Sequence, residues 1–264
     1  LRTRHALCLF SFIVVNALFF VPAHALSLEA LYQGEVYVGE QSPSESRLIR
    51  QAFVAMLVKL TGQAQPQSLP GVSEALADAN RLVSRAGYVE FSPPEELRDA
   101  ILATDGSTAE RLFQASFSPS RVDQWLQQRQ IARWSPERRP ISLWIAYEQD
   151  FQRQLLMYHD DPLRWFVGNT AAQRGLPLEW PQALRFHVDE RAYQQAIREV
   201  WGGFHENLPG VQEPILMATA QVQGQFWQVR WRLIQREQLS SFNSSASDLA
   251  TALKQGIEVA STRS

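Results

Sequence analysis

Three short stretches set histidine beside carboxylates, the combination from which a metal site or a general acid–base pair is built. They are Tyr158-His159-Asp160-Asp161, His187-Val188-Asp189-Glu190 and His205-Glu206. The first two stand directly before helical patterns, where an aspartate is expected to cap the helix. Capping and a solvated surface are therefore the expected roles, with no metal ion. Glu95-Glu96, after Pro93-Pro94, reads as the acidic first turn of a short helix and not as a catalytic carboxylate pair. Gly202-Gly203 ends a helical pattern, the wrong end for phosphate binding. No G-x-G-x-x-G, P-loop, G-x-S-x-G or H-E-x-x-H stretch is present. The expectation is a chain without cofactor and without enzymatic activity.

The single cysteine, Cys8, lies in an apolar N-terminal stretch. Arg2 and Arg4 precede that stretch, which runs from Ala6 to Val21, and Pro22-Ala23-His24-Ala25 offers a small-residue cleavage site through Ala23 and Ala25. Residues 1–25 are thus expected to be a signal peptide, with an uncleaved anchor as the alternative; the apolar run is short for a membrane span of about 20 residues. Cleavage after Ala25 would remove the only thiol, and with it disulfides, thiol catalysis and Cys-ligated zinc. The expected destination is a bacterial periplasm. A formal net charge of −2 argues against a general polyanion-binding surface, so nucleic acid is not an expected partner. The only lysines are Lys59 and Lys254.

The eight tryptophans divide by position. Trp125, Trp144, Trp227 and Trp231 fall on apolar faces and are expected in the core. Trp134, Trp165, Trp180 and Trp201 fall near the ends of elements, where an amphipathic ring sits half-exposed. Together with Arg230 and Arg232 they are the candidate partner-contact residues, since aromatics and arginine dominate interface energetics. For the two arginines, an ordinary polar sheet face is the competing reading.

These residues are positioned by an alternation of strands and helices. A strand at Leu31 to Val38 is followed by a helix whose stripe is Ile49, Ala52, Phe53, Met56, Leu57 and Leu60, with Ser44, Gln51 and Lys59 off the stripe. Ser42 or Ser44 is its expected N-cap and Gly62 its C-cap. A second helical stripe runs from Val72 to Val83, a strand from Arg111 to Phe117, and a helix opens at Ser118-Pro119. Ile141 to Tyr147 is apolar on both faces except Ser142, as an interior strand requires. Helices follow at Pro162 and after Asp189. Ile215 to Val222 and Gln225 to Gln235 form a hairpin through Gln223-Gly224, with Trp227, Val229, Trp231 and Leu233 inward and Gln228, Arg230 and Arg232 outward. A Ser/Asn-rich loop and a closing helix from Asp248 complete the chain. The expected fold is mixed α/β, as two small domains over residues 26–137 and 138–264, β-α-α-β-α followed by β-α-β-α-β-β-α.

Several stretches also carry a resemblance. They are Leu31-Tyr32 with Glu35-Val36, Leu57-Val58-Lys59-Leu60-Thr61-Gly62, Arg139-Pro140 before a Trp-containing strand, Arg174-Gly175-Leu176-Pro177-Leu178, and Trp201-Gly202-Gly203-Phe204. Together they resemble the proteobacterial exported family of uncharacterised proteins known as domain of unknown function number two thousand and sixty-six. The resemblance implies an envelope protein with no established activity and no functional residues to carry over. The order of the second half is also similar to small α/β domains of envelope accessory proteins, such as the N-terminal domain of the Tol-system propeller protein. A non-enzymatic accessory that binds another envelope protein is the expected function. The alternatives are an envelope hydrolase or transferase, or a small-ligand-binding protein that uses the groove between the halves.

Overall fold

The computed structural model describes residues 27–103, 105–135, 138–181 and 189–263. The leader with Ala23 and Ala25, and His187, lie outside the described residues. The fold is mixed α+β with two sheets.

After a one-turn helix α1 (Leu28–Leu31), strand β1 (Gln33–Val38) leads into α2 (Glu45–Thr61). Ser44 stands at the N-cap of α2, and Gly62 closes it in the left-handed conformation at φ 69° that glycine adopts without steric penalty. The helix lies directly on its strand: a Cβ at Gly34 would sit 1.7 Å from the Ala52 carbonyl oxygen, so only glycine permits this approach. Short helices α3 (Val72–Ala77) and α4 (Ala79–Leu82) lead to β2 (Val83–Val89) and, through a 3-10 turn at Glu95–Ala100, to β3 (Arg111–Phe117) and α5 (Pro119–Gln128). The strands are ordered β1-β3-β2 and all neighbours are antiparallel, so β1 is an edge strand. One face is core, with Val36, Val38, Phe113, Ala115 and Phe117 packed against Phe53, Leu57 and Val122.

The second sheet is built on β4 (Ile141–Gln149), paired to β5 (Gln152–Leu155) and to the two-residue β6 (Leu178–Glu179) on one side and parallel to β7 (Ile215–Gln223) on the other. Strands β8 (Phe226–Gln235) and β9 (Gln238–Ala246) extend it as an antiparallel meander. Helices α6 (Pro162–Gln173) and α8 (Leu249–Ser261) join one face and α7 (Glu190–Gly202) the other. Both faces of β4 are therefore dry, as its apolar run requires. Trp231 is fully buried and stacks on Phe242 at 6.0 Å; its indole N–H donates to Ser244 Oγ, which in turn donates to the Ala252 carbonyl. A Cβ at Gly256 would lie 2.0 Å from this ring, so α8 can seat on the sheet only with glycine there.

The structure differs from the sequence reading in three places. Leu31 closes a helical turn instead of opening β1. The second helical stripe stops at Leu82, and Val83 to Val89 is a strand with Gly87 inside it, paired to Gln114. The Ser/Asn-rich segment after Gln235 is the nine-residue strand β9, and not a loop. Its polar sequence hides the strand because only Ser244 is fully buried, while a complete ladder to β8 supplies the stabilisation that apolar alternation usually signals.

Candidate functional site

The two sheets meet along α2 and β1 on one side and α6 and α8 on the other. A small mixed cluster of Leu97, Ile101, Ala109, Phe166 and Ala250 closes part of the junction. Beside it the Tyr37 hydroxyl accepts hydrogen bonds from Asn169 and Gln173 of α6. The connecting segment is pinned from both directions. Arg133 donates to both carboxylate oxygens of Asp123 and to the Tyr32 hydroxyl, at 2.9, 3.0 and 2.6 Å. Burial and the hydrogen bond to Asp123 push the Tyr32 phenol up to about 12. Trp134 donates its backbone N–H to the Leu60 carbonyl at 2.7 Å. Arg138 then bridges the halves, donating to the carbonyls of Lys59 and Gly175 while its guanidinium stacks 4.1 Å from the Trp134 ring centroid. Burial and the Arg133 charge bring Arg138 down to about 10, so it stays charged at neutral pH and completes the exposed carbonyl end of α2.

Next to these pins the halves do not close, and a cleft of about 470 Å³ remains. Its walls are β1 at Glu35, Val36 and Tyr37, the outer face of α2 at Val54, Val58 and Lys59, and Arg174, Lys254 and Glu258 from the second half. Side chains alternate across a strand, so three consecutive residues line one cavity only through the strand's edge. The ladder agrees. Phe117 donates to the Tyr32 carbonyl, which makes 32, 34, 36 and 38 the positions bonded to β3. The N–H and C=O groups of Gln33, Glu35 and Tyr37 therefore point outward from the sheet.

The cleft is charged. Arg174 and Glu258 pair at 2.7 Å, and the Glu35 carboxylate accepts from Gln114 at 3.2 Å. Lys59 is only 5% exposed, with its ammonium 3.4 Å from the Ala30 carbonyl. Burial pushes its pKa down and the Glu35 charge pulls it back, with no hydrogen bond between the two side chains among the described residues. A buried, lowered lysine beside a cleft is the kind of perturbed group that clusters at functional sites. The periodicity sets Lys59 off the stripe of α2, yet it is among the buried residues of the helix, with its ammonium toward the Ala30 carbonyl and its backbone against Gly175. No pattern within one helix carries that information. Its signal was being one of only two lysines in the chain.

The residues expected from sequence are dispersed. Trp134 is half-buried under Arg138 at the junction. Trp165 and Trp180 line a separate cavity of about 660 Å³ together with His159 and Arg164, whose guanidinium covers Trp180 at 4.9 Å. Trp201 lies on the α7 face of the second sheet beneath Arg153, at 4.1 Å. Arg230 is exposed, and Arg232 is half-buried against Gly203, where a Cβ would fall 1.6 Å from its guanidinium. The six do not form one patch. Trp125, Trp144 and Trp231 are core, and Trp227 is half-buried. Asp161 and Asp189 cap their helices, accepting from the Leu163 and Ala192 amides at 2.9 and 3.1 Å. Glu95 pairs with Arg98 at 2.9 Å, and His205 stands 3.9 Å from Glu206. Among the described residues no group of three or more His, Cys, Asp or Glu residues can hold a metal ion, and no helix is long and apolar enough to cross a membrane.

A family model described as a domain of unknown function (DUF8605) matches residues 25–135, the part of the chain that holds the first sheet and its helices. No curated protein and no solved structure matches the chain.

Proposed function

We propose that the protein is a non-enzymatic accessory of the cell envelope, exported by its N-terminal leader, that binds another protein in the cleft at the junction of its two halves. The observation that carries this reading is the outward edge of β1 in the cleft wall. Free backbone donors and acceptors on an edge strand match another polypeptide backbone, the basis of recognition by strand addition. The volume of the cleft lies within the roughly 300–1,000 Å³ range of ligand sites, and its pinned rim keeps it preformed, which lowers the ordering cost of binding. Export is supported by the residue pattern of the leader.

Site-specific photo-cross-linking in cells tests this. A photoreactive side chain at Val54, on the α2 wall, is expected to give a discrete protein adduct, and one at Arg230, on the exposed hairpin, is not. Adducts from position 230 alone would move the contact surface to the hairpin. A small molecule retained at Val54, with no protein adduct, would replace the reading by small-ligand binding in the same cleft.

A further inference from the structure

Lys59 has more hydrogen-bonding capacity than the fold uses. An ammonium carries three N–H donors, and among the described residues its hydrogen-bond partner is the Ala30 carbonyl, at a long 3.4 Å. A buried cation so thinly partnered is costly unless an anion reaches it. The side chains around it leave room for one. Glu258 is engaged by Arg174; the Glu35 carboxylate lends Lys59 its charge but accepts its hydrogen bond from Gln114, and Lys254 adds a further positive charge to the wall. Three cations (Lys59, Arg174 and Lys254) thus face two carboxylates in the cleft.

The position of Lys59 along β1 gives a direction. Helix α2 runs back along its own strand, so Lys59 in its last turn lies at the start of β1, where it reaches Ala30. A chain added antiparallel to β1 would begin beside Tyr37 and finish beside Gln33. Its end would therefore arrive at the ammonium.

Resting on the protein-binding reading of the cleft, we infer that the bound segment is the free C-terminus of an extended polypeptide, laid antiparallel along the outer edge of β1 with its terminal carboxylate on Lys59. The backbone groups of Gln33, Glu35 and Tyr37 supply the ladder, and the charge-assisted bond to the carboxylate sets register and direction. An internal segment offers only a neutral carbonyl at that point and leaves the buried charge poorly compensated.

The test titrates the 15N-labelled protein with degenerate N-acetyl tetrapeptides, once as free acids and once as C-terminal amides. Free acids are expected to shift the backbone amides of Glu35 and Tyr37 and to bind at least about tenfold more tightly than the amides. Lys59→Met should reduce that ratio to about one, and Lys59→Arg should restore part of it. Both variants keep a long side chain, and an unchanged amide spectrum away from the cleft certifies the fold. Equal binding of acids and amides, shifts that bypass β1, or no binding of either set would overturn the assignment. If the Val54 cross-links to a protein persist in that case, the cleft remains the docking site and only the carboxyl-terminus assignment falls.

Discussion

The first sheet buries one face under its own helices and leaves the other to be closed by residues of the second half, whereas the second sheet carries helices of its own on both faces. Phe166 and Ala250 from the second half complete the cluster around Leu97 and Ile101, and Asn169 and Gln173 reach across to Tyr37. Among the described residues the first half gives the core around Trp231 only the half-buried ring of Trp134, at the end of the connecting segment. The first half therefore depends on the second for part of its burial, and the reverse dependence is small. The comparison also accounts for the cleft: an edge strand and the flank of α2 are brought against a neighbour that covers them only in part.

The largest effects should come from the two glycines that hold helix to sheet, one in each half. Gly34→Ala and Gly256→Ala each force a methyl into atoms that have no room to move, at a cost of about 3 kcal/mol or more. The outcomes should be unequal. In hydrogen exchange, Gly34→Ala is expected to expose the first sheet and leave β4 and β7 protected, while Gly256→Ala should expose both. Equal loss in both variants would contradict the dependence.

Next in size is the bridge between the halves. Arg138→Ala removes two hydrogen bonds to carbonyls and the stack on Trp134, and urea unfolding should register a loss of about 1–3 kcal/mol. A loss confined to one half would show that Arg138 acts as a local cap and not as a bridge.

Lys59→Met should move stability the other way, by about 1 kcal/mol or more upward at neutral pH, because an undercompensated buried charge is replaced by an apolar side chain of similar length. The sign with pH follows from the lowered pKa. Between the folded value and the unfolded value near 10.5, the unfolded chain holds a proton that the folded chain has released, so wild-type stability gains as pH rises through that window. The advantage of the variant should therefore shrink toward alkaline pH. Tyr32, raised from 10.0 to about 12, costs stability from about pH 10 upward, yet it cancels in the difference between the two proteins. An advantage independent of pH would contradict a strained ammonium. The smallest effect belongs to the second half's outer face, where Arg153→Ala should cost about 0.5–1 kcal/mol through the stack on Trp201.

What the sequence revealed and hid follows the same division. The α2 stripe, the two dry faces of β4 and the β7–β8 hairpin are written in local periodicity, because each is set by partners that cover one face or both uniformly. Strand β9 was invisible, since backbone pairing to β8 stabilises a run of serine and asparagine that has no apolar rhythm. Val83 continued a helical stripe by residue type but was drawn into a strand by pairing with β3. Lys59 was legible only as a polar residue. Its ammonium lies against Ala30 and its backbone against Gly175, contacts outside its own helix. The paired histidine and aspartate stretches, by contrast, read correctly as caps at Asp161 and Asp189, because capping is a local interaction.

The most direct measurement is residue-resolved hydrogen exchange at the amides of Gln33, Glu35 and Tyr37, in the free protein and in the complex captured through Val54. The account predicts rapid exchange in the free protein, where these groups point outward from the sheet edge and Glu35 and Tyr37 line the cleft, and strong protection in the complex, with Val36 and Val38 slow in both. Protection of the three amides already in the free protein, or no change on complex formation, would contradict strand addition at β1.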